Sequence, residues 1–189
     1  MKLKDKELKV EGSSRGLILE LVQEDAKHTA VIPSNKVYPF LNLLQGKSTT
    51  YRANAGKYTI RGKHYTYQKD NQNLEGVLIS WFAANSKEAT KPVASISLGN
   101  KALERFIKTV KAAAKNIPLI SYTLNNVKVI KTPLAMSIIA NDKEVIINKP
   151  NFANLKDLLM EHIIKEQPVQ YKGITLDISQ AKQILEVLL

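Results

Sequence analysis

The chain has 189 residues, with 28 Lys and Arg against 17 Asp and Glu, and a formal charge of +11. At 44% hydrophobic and 24% charged it has the make-up of a soluble globular protein with a real core, which excludes a disordered tail and a collagen-like chain. It holds no cysteine, so disulfide scaffolds, thiolate nucleophiles and cysteine-based zinc or iron–sulfur sites are excluded too.

No apolar run approaches the roughly 20 residues a bilayer span needs. The charged start Met1-Lys2-Leu3-Lys4-Asp5 lacks the apolar core of a signal peptide. A cytoplasmic protein with no membrane partner is therefore expected.

Residues 1–15 are polar and charged and lead into Gly12-Ser13-Ser14-Arg15-Gly16, which reads as a flexible N-terminal segment. An apolar stretch from Leu17 to Val22 and another from Thr29 to Ile32 flank Glu24-Asp25, the pattern of a β-hairpin. Val37, Phe40, Leu41 and Leu44 recur at helical spacing, with Ser34 or Asn35 as the cap, Gly46 as the stop and Pro39 in the first turn. Residues 49–68 alternate, and Arg61-Gly62-Lys63 suggests the turn of a second hairpin.

Two more strands follow at residues 77–82 and 93–98, joined by a polar loop over 85–91. Asn100 caps a helix to about Lys115 with Leu103, Phe106, Ile107 and Val110 on one face. The second part repeats this style. Hairpins turn at Asn125-Asn126 and Asn141-Asp142, and Asn151 caps a helix through Leu155, Leu159 and Ile163. A strand over 171–178 then feeds a last helix that begins at Ser179.

The expected fold class is α+β, mostly antiparallel hairpins with four amphipathic helices. Its parts are a flexible segment over 1–15, a first unit over 16–115 and a smaller one over 116–189. A shift of 115 residues lays residues 19–44 onto 134–159 by apolar class, and a shift of 78 lays 96–110 onto 174–188. Two accounts fit: an internal duplication whose first copy carries a 37-residue insertion within about 46–90, or amphipathic elements alike without common descent.

The excess charge sits in the middle. Residues 26–141 hold 17 basic residues and only four acidic ones, whereas each end is nearly balanced. A basic surface without interspersed carboxylates favours a polyanion, nucleic acid first. Within residues 47–69 stand six Lys or Arg and four tyrosines, and no carboxylate. Cations that track phosphates beside rings that stack on unpaired bases are what a single strand requires. The candidates are Arg52, Lys57, Tyr58, Arg61, Lys63, Tyr65, Tyr67 and Lys69. Lys101, Arg105 and Lys108, spaced along one helix face, add a second basic element. Trp81, in a strongly apolar strand, reads as core.

Catalytic patterns are missing. His28, His64 and His162 have no metal-ligand spacing, and the stretch from Gly56 to Lys63 lacks the form of a phosphate loop. No paired-carboxylate or magnesium-holding cluster stands in the acid-poor middle. No cofactor, metal or catalytic residue is expected.

The segments Lys172-Gly173-Ile174-Thr175-Leu176-Asp177 and Ser95-Ile96-Ser97-Leu98, each feeding an amphipathic helix, form one recurring unit. It resembles the C-terminal part of the Whirly and transcriptional-coactivator family of single-stranded-DNA-binding proteins. The resemblance implies four antiparallel strands before a helix, a unit that can occur twice in a chain, and oligomers that present their sheets to single strands. It also implies Arg52, Tyr58, Arg61, Lys63, Tyr65 and Tyr67 as the platform. The expectation is a non-enzymatic protein that binds single-stranded DNA or RNA with low sequence specificity and can form a homo-oligomer. The alternative is a structural or protein-interaction module, a subunit of a larger assembly, using its sheet edges or the apolar residues 184–189.

Overall fold

The structure, a computed structural model, describes residues 1–3, 5–84, 90–117, 120–124, 126–140 and 142–189. Asn125, Asn141 and most of the loop over 85–91 lie outside the described residues, while the pairing of Leu124 with Val127 and of Ala140 with Lys143 puts both hairpin turns where the sequence has them. The fold is α+β, and it divides into two compact units, Met1–Ile117 and Pro118–Leu189.

The first unit opens with strands β1 (Lys2–Leu3), β2 (Lys6–Ser13), β3 (Gly16–Gln23) and β4 (Ala26–Pro33), an antiparallel meander in that order. Helix α1 (Ser34–Leu44) closes it. A second meander of β5 (Thr50–Ala55), β6 (Tyr58–Lys69), β7 (Gln72–Ala83) and β8 (Ala94–Gly99) is closed by helix α2 (Asn100–Lys115). Alternation sends Leu17, Leu19, Leu21, Ala30 and Ile32 of one sheet, and Ile60, Val77, Ile79, Trp81 and Leu98 of the other, to the buried side. There they meet Val37, Phe40 and Leu44 of α1 and Leu103, Phe106 and Val110 of α2. The Phe40 and Phe106 rings pack edge to face at 6.4 Å. Each such fully buried side chain contributes about 1.5–3 kcal/mol relative to exposure.

Three features of this unit correct the sequence reading. The segment 1–15 is not a flexible lead-in: Lys6–Ser13 pairs with β3 residue for residue, from Lys6 opposite Gln23 to Ser13 opposite Gly16. Leu8 is buried, while Glu7, Lys9 and Glu11 occupy the outward positions, so the charge was that of one strand face. Nor does the chain turn at Arg61-Gly62-Lys63. The turn lies at Gly56-Lys57, and Gly62 stands in mid-strand. Its missing side chain makes room for Leu43 of α1, since a Cβ there would lie 2.2 Å from the Leu43 Cδ2. The α1 cap is also different: no side chain caps its N-terminus, and Pro39 is its sixth residue, beyond the first turn.

The second unit has a meander of β9 (Ile120–Leu124), β10 (Val127–Lys131), β11 (Ala135–Ala140) and β12 (Lys143–Asn148). A short 3-10 turn, Lys149–Asn151, leads into helix α3 (Phe152–Ile164). The expected strand over 171–178 is instead a small hairpin, β13 (Val169–Tyr171) and β14 (Ile174–Leu176). Lys172 and Gly173 at its tip both have positive φ, the conformation that two-residue hairpin loops require. Helix α4 (Ile178–Leu188) follows, and Val129, Met136, Ile138, Ile147, Leu155, Leu159, Leu176 and Ile184 form the core.

Helix α4 starts at Ile178, one residue before the expected Ser179, and Asp177 caps it. The Gln180 N–H donates to Asp177 Oδ1 at 2.7 Å while the Gln180 side chain accepts from the Asp177 N–H at 2.9 Å, a reciprocal capping box. Asp177→Ala will cost about 0.5–2 kcal/mol. In chemical denaturation of the intact chain, the transition that melts this unit will move to lower denaturant. An unmoved transition would mean that α4 stands without its cap.

The order of elements repeats between the units. β3, β4 and α1 fall on β11, β12 and the segment through α3 at an offset of 115, and β8 and α2 fall on β14 and α4 at 78. What the first unit has between these parts is β5, β6 and β7.

Candidate nucleic-acid interface

Alternation along the unbroken strand β6 decides which side chains share a surface. Arg61, Lys63, Tyr65, Tyr67 and Lys69 project from the outer face of the sheet, whereas Tyr58, Ile60 and His64 take the core side. Arg52 of β5 stands directly opposite Arg61, and Thr50 opposite Lys63. Four of the cations singled out in the sequence thus gather on one surface.

The two tyrosines lie down across the neighbouring strands. Tyr65 is opposite Gly76 of β7, where a Cβ would lie 2.6 Å from its ring. Its hydroxyl reaches the Ser97 Oγ on β8 at 2.5 Å. Tyr67 extends over Gly99, whose Cβ would lie 2.7 Å from the tyrosine oxygen. The rings are 6.0 Å apart and tilted by 45°. Glycine in a strand permits this close approach. The outcome is a shallow aromatic floor, half-buried from below and open from above.

Beside it the Arg61 guanidinium covers the Phe82 ring at 4.2 Å, a cation–π contact that holds the head group against the sheet. Leu78, across from Lys63, is 37% exposed. Among the described residues this face carries no carboxylate. Glu75 takes the other face, where its Oε2 is 3.8 Å from the His64 Nε2.

The outer face of the first meander is an internal comparison. There Lys27 pairs with Glu20 at 2.7 Å, and Lys9 lies 3.8 Å from Glu20 and 3.7 Å from Glu7. Such exposed pairs add little stability, but they cancel the surface charge. Two sheets of one topology present opposite chemistry to solvent.

The remaining candidates are elsewhere. Tyr58 packs edge-on with His28 at 5.9 Å, its hydroxyl 3.2 Å from the His28 Nδ1, and Lys57 occupies the hairpin turn with its Nζ 5.4 Å from the Tyr58 ring. Tyr51 is buried against Phe40 and donates to the Lys36 carbonyl at 3.2 Å. Burial pushes its phenol well above the ordinary tyrosine range, so it stays neutral. Trp81 is fully buried. Lys101, Arg105 and Lys108 are exposed on α2, which packs on the core side of the sheet, so they do not join the outer face.

Phe82, Gly76, Gly99 and Ser97 complete the surface, and sequence reading missed them. The signal available was two glycines, at 76 and 99, inside otherwise regular strand patterns. No cluster of three His, Asp or Glu that could hold a metal stands among the described residues. No helix among them is long and apolar enough to cross a membrane. Compared with known proteins, the chain matches no family model, no curated protein and no solved structure.

Proposed function

We propose that this protein binds single-stranded nucleic acid, DNA or RNA, with little base specificity and without turnover, on the outer face of β5–β8. The observation that carries the reading is the carboxylate-free face on which Arg52, Arg61, Lys63 and Lys69 surround the recumbent rings of Tyr65 and Tyr67. The cations are placed to neutralise phosphates, and the rings offer a π-face to any base, which makes the contact sequence-tolerant. A duplex keeps its bases stacked inside and could use the cations alone. The element order adds support: a four-strand meander closed by a helix occurs twice in the first unit, as the resemblance to the Whirly and transcriptional-coactivator family implies.

The test is fluorescence anisotropy of labelled single-stranded and duplex oligonucleotides at two salt concentrations. Four phosphate contacts give a log–log salt slope of about −3 for a single strand, roughly a 50-fold loss of affinity for a fourfold rise in salt. The variant with Arg52, Arg61, Lys63 and Lys69 all replaced by Gln will bind weakly and nearly independently of salt. No single-strand binding at low salt, or an unchanged slope in the folded variant, would overturn the reading.

A second reading, an interaction module, draws on the smaller unit. The outer face of β10–β12 sets Ile130 opposite Ser137 and Ser137 opposite Ile146, which is 58% exposed, and Ile164 on α3 is 77% exposed. That reading predicts a salt-tolerant protein partner and an inert β5–β8 face.

A further inference from the structure

We propose that the solvent side of α2 is a second nucleic-acid surface, one that takes only the phosphate backbone, and that the protein thereby bridges two nucleic-acid segments. The proposal rests on the single-strand reading of the β5–β8 face.

Helix α2 spends Leu103, Phe106 and Val110 on the core and leaves Lys101, Arg105, Lys108, Lys111 and Lys115 exposed. Glu104 is the one acidic residue of the helix, and none of the five cations pairs with a carboxylate among the described residues. The other helices differ. α3 carries Lys156 together with Asp157 and Glu161, the latter paired with Lys165 at 2.5 Å, α4 carries Lys182 and Glu186, and α1 has only Lys36. The charge of α2 is therefore its own.

Its one aromatic residue, Phe106, is buried, so this surface has no ring for a base and selects for backbone charge alone. Single strands and duplexes share that chemistry. The spacing of Lys101, Arg105 and Lys108 by four and three residues aligns them along one side of the helix.

The position of α2 makes it a separate site. It lies on the core side of β7 and β8, so its solvent side is about a helix diameter, roughly 10 Å, beyond the sheet. The Debye length at physiological salt is about 8 Å, so two phosphate tracks held on these surfaces repel one another only weakly. A protein that holds one strand on the sheet and a second segment on the helix raises the local concentration of the second. It also neutralises the charge that keeps complementary strands apart. The expected consequence is faster strand annealing.

The experiment loads the protein on an immobilised single strand and offers a labelled second segment, either a non-complementary single strand or a duplex. Annealing of complementary labelled strands is followed in parallel by energy transfer. The variant carries Lys101→Gln, Arg105→Gln and Lys108→Gln, all at exposed positions. Wild type should capture the second segment and speed annealing at least about tenfold. The variant should hold the first strand within about threefold of wild type, lose capture and annealing, and show a duplex salt slope lower by about 2.7.

Capture of single strand or of duplex identifies which source of phosphate the helix takes. Three results would overturn the proposal alone: no capture by a wild type that binds the first strand, full capture by the variant, or a variant that loses the first strand as the Arg52/Arg61/Lys63/Lys69 variant does. The last would mean that one strand spans both surfaces. A wild type that fails to hold the first strand overturns the single-strand reading, and the bridge with it.

Discussion

Replacing Tyr65 and Tyr67 together by Leu will weaken single-strand binding by about 2–6 kcal/mol, from roughly 30-fold to 10⁴-fold, and leave the salt slope unchanged. Stacking contributes about 1–3 kcal/mol per base and involves no counterion, so it separates cleanly from the phosphate contacts. The range is twice that contribution for two rings acting independently; at 6.0 Å apart the rings are close enough to couple, which a comparison with the single variants would read. Tyr65→Phe with Tyr67→Phe keeps both ring faces and forfeits the hydroxyl contact of Tyr65 to Ser97, and should bind nearly as wild type. The measurement is anisotropy across a salt series for all three proteins. A Leu variant that binds as tightly as wild type would remove the rings from the interface. A Phe variant as weak as the Leu variant would assign the effect to the hydroxyls instead.

Gly12→Ala will destabilise the first unit by about 3 kcal/mol, at the upper end of what an added methyl costs in a packed core. A Cβ at Gly12 would lie 2.2 Å from the Ala113 carbonyl oxygen, and that obstacle is backbone of the last turns of α2. Gly62→Ala meets an obstacle at the same 2.2 Å, but there it is the end of the Leu43 side chain, which can rotate away. Its cost should be nearer 1 kcal/mol. Chemical denaturation of the two variants beside wild type reads the difference. Equal losses would mean that the helix end yields as readily as a leucine methyl.

Much of the fold can be read from the sequence wherever a local signal coincides with the tertiary outcome. Glu24 and Asp25 separate two alternating runs, and they take the positive φ values of a tight hairpin. α2 keeps its apolar stripe on the core from end to end. The misreadings share a cause. At β2 the charged residues are those of an exposed face, and its few apolar positions gain meaning only once β3 is alongside. At Gly62 a glycine between two cations looks like a turn, because the demand that places it there comes from Leu43, far away in sequence.

The site shows the same division. Cations and tyrosines were visible in the stretch 47–69 because composition is local. Their sorting was not, since one long strand and a hairpin turning at residue 62 send Tyr58 to different sides. Gly76, Gly99 and Phe82 belong to the surface through pairing alone, and pairing is what a linear pattern does not display.

The lodging of Gly12 against Ala113 also sets a timetable. The two residues are separated by about a hundred positions, so the chain must be made almost to the end of its first unit before β2 can dock against α2. At about 5–20 residues per second of synthesis, that interval is roughly 5–20 s. During it, α1 can already cover part of β3, but the apolar edge of Leu8 has no helix to meet. For that interval the nascent first meander is expected to leave apolar surface uncovered, a condition that favours aggregation. Non-local closure of this kind also predicts slow refolding from denaturant.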